Sequence, residues 1–226
     1  MLEENLQQVK NNIQAAARRA GRDPGEVRLV AVTKTVGVDA VRQAAVLGLE
    51  DFGENRLQDA REKVRLLPHL RWHFIGHLQT NKVKDVLRSF CLIHSLDRYA
   101  LAEALQKWGE KLDCQARVLV QVNVSGEESK YGLDPLELPD FLEALRDLPR
   151  LSVQGLMTMA PWVDNPEEAR PVFRRLRELQ QKLRRPEMML PELSMGMTAD
   201  YTVAVEEGAT LVRVGTALFG PRTGSP

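Results

Sequence analysis

The sequence predicts a single-domain (β/α)8 barrel, the TIM-barrel fold, spanning residues 1–226 and carrying one extra helix at its N-terminus. Three observations lead there. The chain has 226 residues, near the size of a compact barrel and enough to bury about 70 per cent of its unfolded surface around one core. Short β-branched runs alternate with longer amphipathic stretches, the pattern of a parallel sheet covered by helices. Eight such runs occur with a helix in every gap, which favours a closed barrel over an open doubly wound sheet, the structural rival.

The opening segment MLEENLQQVKNNIQAAARRAG has Leu2, Leu6, Val9, Ile13 and Ala17 at helical spacing, and this helix can cover the place of a missing eighth one. The strands then follow in order as 28–34, 49–53, 72–77, 91–95, 117–125, 151–158, 192–196 and 210–215. Asp134-Pro135 and Asn165-Pro166 each pair a capping side chain with a proline at the first helical position, where a missing N–H costs nothing. Gly48 and Gly208 stand where a helix needs a left-handed terminating residue. One helical stripe carries Leu101, Leu105, Trp108 and Leu112, and another carries Phe173, Leu176, Leu179 and Leu183; both should pack on the outside of the sheet. No repeat or linker interrupts this alternation, and the final PRTGSP is expected to be a frayed tail.

Composition narrows the function classes. Lys plus Arg equals Asp plus Glu at 31 each, so no global positive field recruits nucleic acid or an anionic membrane. The cluster Arg174, Arg175, Arg177 reads as a solvated helix face. Cys91 and Cys114 lack metal-ligand spacing and suit small buried hydrophobes in a reducing compartment. Charges in the first helix exclude a signal-peptide apolar region, and no run approaches a membrane span of about 18 residues. The expectation is a cytoplasmic monomer that binds neither nucleic acid nor membrane.

Lys34 is the most informative residue, because it stands where the apolar run LVAVT ends, at the face where barrels build their sites. Three readings are open: a snorkelling strand-end lysine, a phosphate-binding cation, or a Schiff-base amine activated by partial desolvation. SMGMTADY and RVGTALFG each place Gly with Ser or Thr at a strand end, with Thr198 as the expected cap of the helix after the first of them. Loops after strands 7 and 8 of barrels commonly hold phosphate, so N–H groups of Ser194, Met195, Gly196, Gly215 and Thr216 become candidates, against two ordinary turns. Arg213, between Val212 and Val214, needs either a buried carboxylate or a ligand acceptor. Glu54 and Asn55 follow the second strand, Asn55 serving equally as helix cap or polar contact. His73 and His77 have H-x-x-x-H spacing, but no further ligand motif supports zinc. His77 is a pocket candidate and His73 a structural one; Met157, Met159, Met195 and Met197 line a pocket or fill core.

Taken together, AVTKT, FGENR, WHFIGHLQTNK, VLVQVNVSGEESKYGL, GLMTMAP, SMGMTADY and VRVGTALFG resemble the pyridoxal phosphate homeostasis protein family, in the same order over residues 28–220. That family is a single barrel related to the barrel domain of alanine racemases. The resemblance implies pyridoxal 5′-phosphate as cofactor, a Schiff base on Lys34, phosphate at Ser194–Gly196 and Gly215–Thr216, and Arg213 facing the ring nitrogen. Asn55, His77 and Met157 fall where family members line the pocket. Thr33 stands where serine is usual, Arg56 replaces an aromatic residue, and Thr198-Ala199 varies a Ser-Asp pair.

The role so implied is storage, buffering or delivery of the cofactor, with apoenzymes as transient partners. The rivals are a racemase or decarboxylase on the same cofactor, and a barrel aldolase using Lys34 for a substrate imine. Racemases with this barrel add a second domain and a partner tyrosine, whereas Tyr99, Tyr131 and Tyr201 here have no evident catalytic partner.

Overall fold

The computed structural model describes residues 1–127 and 131–221. Glu128, Ser129 and Lys130 of the SGEESKYG motif, and all of PRTGSP after Pro221, lie outside the described residues. The strands are β1 Arg28–Val32, β2 Asp51–Glu54, β3 Arg71–Phe74, β4 Leu92–Leu96, β5 Ala116–Gln121, β6 Leu151–Met157, β7 Glu192–Ser194 and β8 Leu211–Val214. They pair in parallel in sequence order, and β8 closes on β1 with Val30 opposite Arg213. The helices are α1 Leu2–Arg19, α2 Val38–Val46, α3 Leu57–Leu66, α4 Val83–Ser89, α5 Tyr99–Leu112, α6 Leu138–Ala144, α7 Arg170–Leu183, α8 Tyr201–Glu206 and α9 Thr216–Phe219. α1 packs against α8 and α9, which is the covering role its apolar stripe predicts.

Strand alternation sorts the interior into two regions. Phe52, Trp72, Ile93, Val118, Leu156, Val212 and Val214 face outward and join the helices in the large core. Val30, Leu92, Leu119, Met157 and Leu211 form a second, small cluster inside the barrel. The rest of the lumen is polar, where bulky branched residues commonly fill a barrel. His73, His94, Ser194 and Arg213 are all buried there and bonded to one another in a chain.

Helix ends follow local chemistry, with corrections. Gly48 and Gly208 terminate their helices with φ of +84° and +104°. Asn165 caps as expected, its side chain accepting from Glu167 N at 3.1 Å. Asp134 instead accepts from Leu136 N at 2.7 Å and holds a turn, so α6 begins later, with Pro139 in its first turn. On α5, Gly109 takes the buried position because Arg150 and Cys114 press against it, and Trp108 moves to the edge beneath the ammonium groups of Lys84 and Lys111. Cys91 is exposed and Cys114 half-buried, so neither is core filling.

The arginine cluster is more than a solvated face. Arg170, Arg174 and Arg177 converge on Glu207, whose side chain is 5% exposed, and so clamp α7 to α8. Burial pushes the Glu207 carboxyl up, but the hydrogen bonds from Arg174 and Arg170 and the nearby arginine charges outweigh it and hold it low. A carboxyl lowered on folding stabilises the protein above its ordinary value of 4.5, and that stabilisation is lost as the pH falls below it. Glu207→Gln should therefore destabilise at neutral pH by on the order of 1 kcal/mol, since the arginines stay partly solvated. Urea unfolding at about pH 7 and about pH 3 checks this. An equal loss at both values would contradict it.

Candidate functional site

The carboxyl ends of the strands carry the predicted residues. Lys34 lies two residues beyond β1 with an exposed side chain. The residue before it is firmly held: buried Thr33 donates from Oγ1 to Glu54 Oε1 at 2.6 Å, and its N–H donates to Gly53 O. Beneath it, Lys63 Nζ on α3 donates to Thr33 O at 2.6 Å and to Glu54 Oε1 at 2.7 Å. Lys63 and Glu54 are almost fully buried, and Glu54 Oε2 has no hydrogen-bond partner among the described residues. Lys63 escaped the sequence reading, although a lysine three residues after Ala60 on a stripe with Leu57 was the available signal.

Arg213 resolves its two alternatives against a carboxylate pair. Nη1 donates to Ser194 Oγ, and Nη2 donates to Thr158 O at 2.9 Å. Among the described residues no carboxylate forms a salt bridge with it; the nearest compensation is longer-range attraction from Asp200. Burial lowers its pKa to about 10, which leaves the guanidinium charged at neutral pH. A guanidinium has five N–H donors, so this one keeps capacity for a ligand acceptor.

The β7 and β8 loops meet beside it. Gly196 has φ of +92°, and an added Cβ would stand 2.5 Å from Ala204 Cβ and 2.9 Å from Tyr201 Cα. At Gly215 an added Cβ would stand 3.2 Å from Val32 O. Thr198 does not cap α8. Its Oγ1 accepts from Ala217 N at 3.4 Å and ties the two loops together, while Asp200 occupies the N-cap position of α8 and accepts from Met197 N at 2.6 Å. Met195 is the clearest departure from expectation: its side chain faces the helix-side core and its N–H donates to Leu211 O, so neither is offered to a ligand. Ser194 is present, but its hydroxyl serves the lumen chain. Thr216 opens α9, and Met157 lies buried in the small cluster inside the barrel.

Asn55 and His77 line a cleft of about 520 Å³ together with Arg56, Phe74, Lys82 and Tyr131. The His77 ring stacks on Tyr131 with centroids 4.3 Å apart, and its Nδ1 lies 3.5 Å from Asp97 Oδ2. Gln121 Nε2 donates to Tyr131 O at 3.0 Å and fixes the tyrosine there. Tyr131 thus has an imidazole partner at this face, which sequence order could not reveal. His73 does not share a site with His77; it points into the lumen toward Asp51 and His94.

Comparison with known proteins identifies the family of the chain and its fold. Residues 5–223 match the family model for the alanine racemase N-terminal domain. The pyridoxal phosphate homeostasis protein of Aquifex aeolicus is 48% identical over 222 residues, covering 97% of each chain. Its namesake in Pseudomonas aeruginosa is 45% identical, covering 97% of this chain and 95% of that one. The structure of PipY from Synechococcus elongatus with PLP bound superposes with a TM-score of 0.84 at 37% identity, covering 97% of this chain and all of the other. A Clostridium difficile alanine racemase shares the fold at 15% identity and a TM-score of 0.77, this chain matching 57% of its length. Relatives this similar over nearly the whole length show that the chain belongs to the pyridoxal phosphate homeostasis protein family, within the wider group built on the alanine racemase N-terminal barrel.

Proposed function

We propose that this protein binds pyridoxal 5′-phosphate as a Schiff base on Lys34 and serves in its storage, buffering or delivery. The observation that carries the reading is the buried Arg213 guanidinium, without a carboxylate partner among the described residues, below two joined loops and near the strand end that bears the exposed Lys34 amine. Bound pyridoxal phosphate would supply a reactive aldehyde on an electron-withdrawing ring. Lys34 would hold the aldehyde carbon, with loss of water, and Arg213 would donate toward the ring nitrogen. The charged arginine disfavours a protonated ring nitrogen and so weakens the electron sink that carbanion chemistry needs. Backbone N–H groups of the loops at Gly196 and Gly215 and at the start of α9 at Thr216 would hold the phosphate. Asn55, His77 and Met157 would border the ring.

Gly215→Val tests the phosphate assignment. It should weaken pyridoxal 5′-phosphate by about tenfold or more relative to unphosphorylated pyridoxal, the scale of a lost charge-assisted hydrogen bond. Equal losses for the two ligands, measured by titration, would contradict it.

The stacked His77–Tyr131 pair favours a second reading, an amino-acid racemase or decarboxylase, because it offers a phenol and an imidazole at the same face. Against that reading, Tyr131 is 57% exposed, so water is not excluded from it. Holoprotein incubated with each common L-amino acid in deuterated water should show negligible α-proton exchange and should reactivate a pyridoxal-phosphate-dependent apoenzyme. Fast exchange that disappears in Tyr131→Phe, without cofactor delivery, would establish the enzyme instead.

A further inference from the structure

The lumen contains a continuous hydrogen-bonded chain from the barrel floor to the site. At the floor, Arg71 donates to both oxygens of Asp51 at 2.9 and 2.6 Å. His73 Nε2 lies 2.8 Å from Asp51 Oδ1, His73 Nδ1 lies 3.0 Å from His94 Nε2, and His94 Nδ1 lies 2.8 Å from Ser194 Oγ. Ser194 Oγ accepts from Arg213, which ends the chain in the site. Asp51, His73, His94, Ser194 and Arg213 are each no more than 4% exposed, so water does not substitute for any link.

Acceptor chemistry fixes the direction of these bonds. Burial pushes the Asp51 carboxyl up, but hydrogen bonds from Arg71 and His73 and their charges hold it well below its ordinary value, so it only accepts. His73 Nε2 therefore carries a hydrogen. With both imidazoles neutral, every link runs one way: Arg213 donates to Ser194, Ser194 to His94 Nδ1, His94 Nε2–H to His73 Nδ1, and His73 Nε2–H to Asp51. One added proton gives a second arrangement. His73 then donates from Nδ1 to His94 Nε2, His94 carries its hydrogen on Nδ1, and Ser194 Oγ accepts from both His94 and Arg213 while its own hydroxyl turns away.

We propose that His94 and His73 are positioning residues for Arg213, acting through Ser194, and that the proton count of this imidazole pair is transmitted to the cofactor site as a tautomer change at His94. The surroundings favour His73 as the proton's holder. Burial opposes charge on both rings, but Asp51 and Cys91 more than offset it at His73 and raise its pKa above 6.5. At His94, burial and the charges of His73, Arg213 and Arg28 drive the pKa well below that value. The groups facing the pair are Asp51 and Arg71 at the floor, Cys91 before β4, Arg28 with its partner Glu192 on β1 and β7, and Arg213 with Asp200 beside the site. None of the others supplies a direct acceptor to His94 in place of Ser194 and His73.

This inference rests on the proposed cofactor site for its effect on binding, but the tautomer change does not. Nitrogen NMR of histidine-labelled protein across the pH range, with and without pyridoxal 5′-phosphate, should show the single hydrogen of His94 moving from Nδ1 to Nε2 as His73 loses its proton. In holoprotein the visible spectrum should change over the same pH interval. His94→Leu should abolish that spectral transition and weaken the cofactor about tenfold, the scale of one unsatisfied buried donor. His94→Gln, which keeps one acceptor and one donor, should restore most of the affinity. A His94 tautomer that stays constant through the His73 titration overturns the proposal even if the leucine variant fails to fold. So does a folded His94→Leu protein with wild-type affinity and pH profile. Failure of the wild type to take up any pyridoxal phosphate would instead refute the proposed function, and the ligand-free NMR titration would still decide the relay.

Discussion

Lys34→Ala should yield a protein with unchanged circular dichroism that forms no borohydride-stable adduct with pyridoxal 5′-phosphate and shows no imine absorbance. The side chain is exposed, so folding stability should move by no more than about 0.5 kcal/mol. The covalent link should fall from near one per chain to none, because no other described lysine lies within two residues of the carboxyl end of a barrel strand. Residual binding through Arg213 and the two glycine loops should persist at reduced affinity. An undiminished adduct in the alanine variant would show that another lysine carries it.

Lys63→Met should have the largest effect on stability. It removes the ammonium group from buried Glu54 and from Thr33 O, leaving a carboxylate with one oxygen already lacking a partner. Breaking a buried pair from one side typically costs about 3–5 kcal/mol, whereas replacing both partners by apolar groups is often neutral. Urea unfolding of Lys63→Met should show a loss in that range, and Lys63→Met combined with Glu54→Leu should recover much of it. Because Thr33 immediately precedes Lys34, the single variant should also loosen the loop that aims the amine and weaken cofactor retention. A single variant as stable as wild type would mean that Glu54 finds another donor.

The contrast between these two lysines shows what the sequence could carry. Lys34 was legible because a charged residue ending a β-branched run has a position that follows from strand direction alone. The eight strands and the closing role of α1 were legible for the same reason, since two periodicities and their alternation nearly exhaust the ways to bury those apolar residues. Lys63 was not, because its partners Thr33 and Glu54 belong to different elements and only the closed barrel brings them under α3. His94 was hidden likewise: CLIHS reads as an ordinary buried strand, and nothing local shows that its imidazole meets His73 and Ser194. Met195 failed in the opposite direction. Its neighbour Ser194 faces the lumen, and alternation along the chain turns Met195 outward and commits its N–H to Leu211. Thr198 and Asp200 show a further limit, since both residue types are common at N-caps and the loop places Asp200, not Thr198, at the start of α8.

The most direct test of the proposed function is to saturate the purified protein with pyridoxal 5′-phosphate, reduce it with borohydride, digest it and map the modified peptide by mass spectrometry. A single pyridoxyl group on Lys34, near one per chain and prevented by excess of a competing aldehyde, is the result this site predicts. Modification spread over several surface lysines, or confined to one other than Lys34, would contradict it.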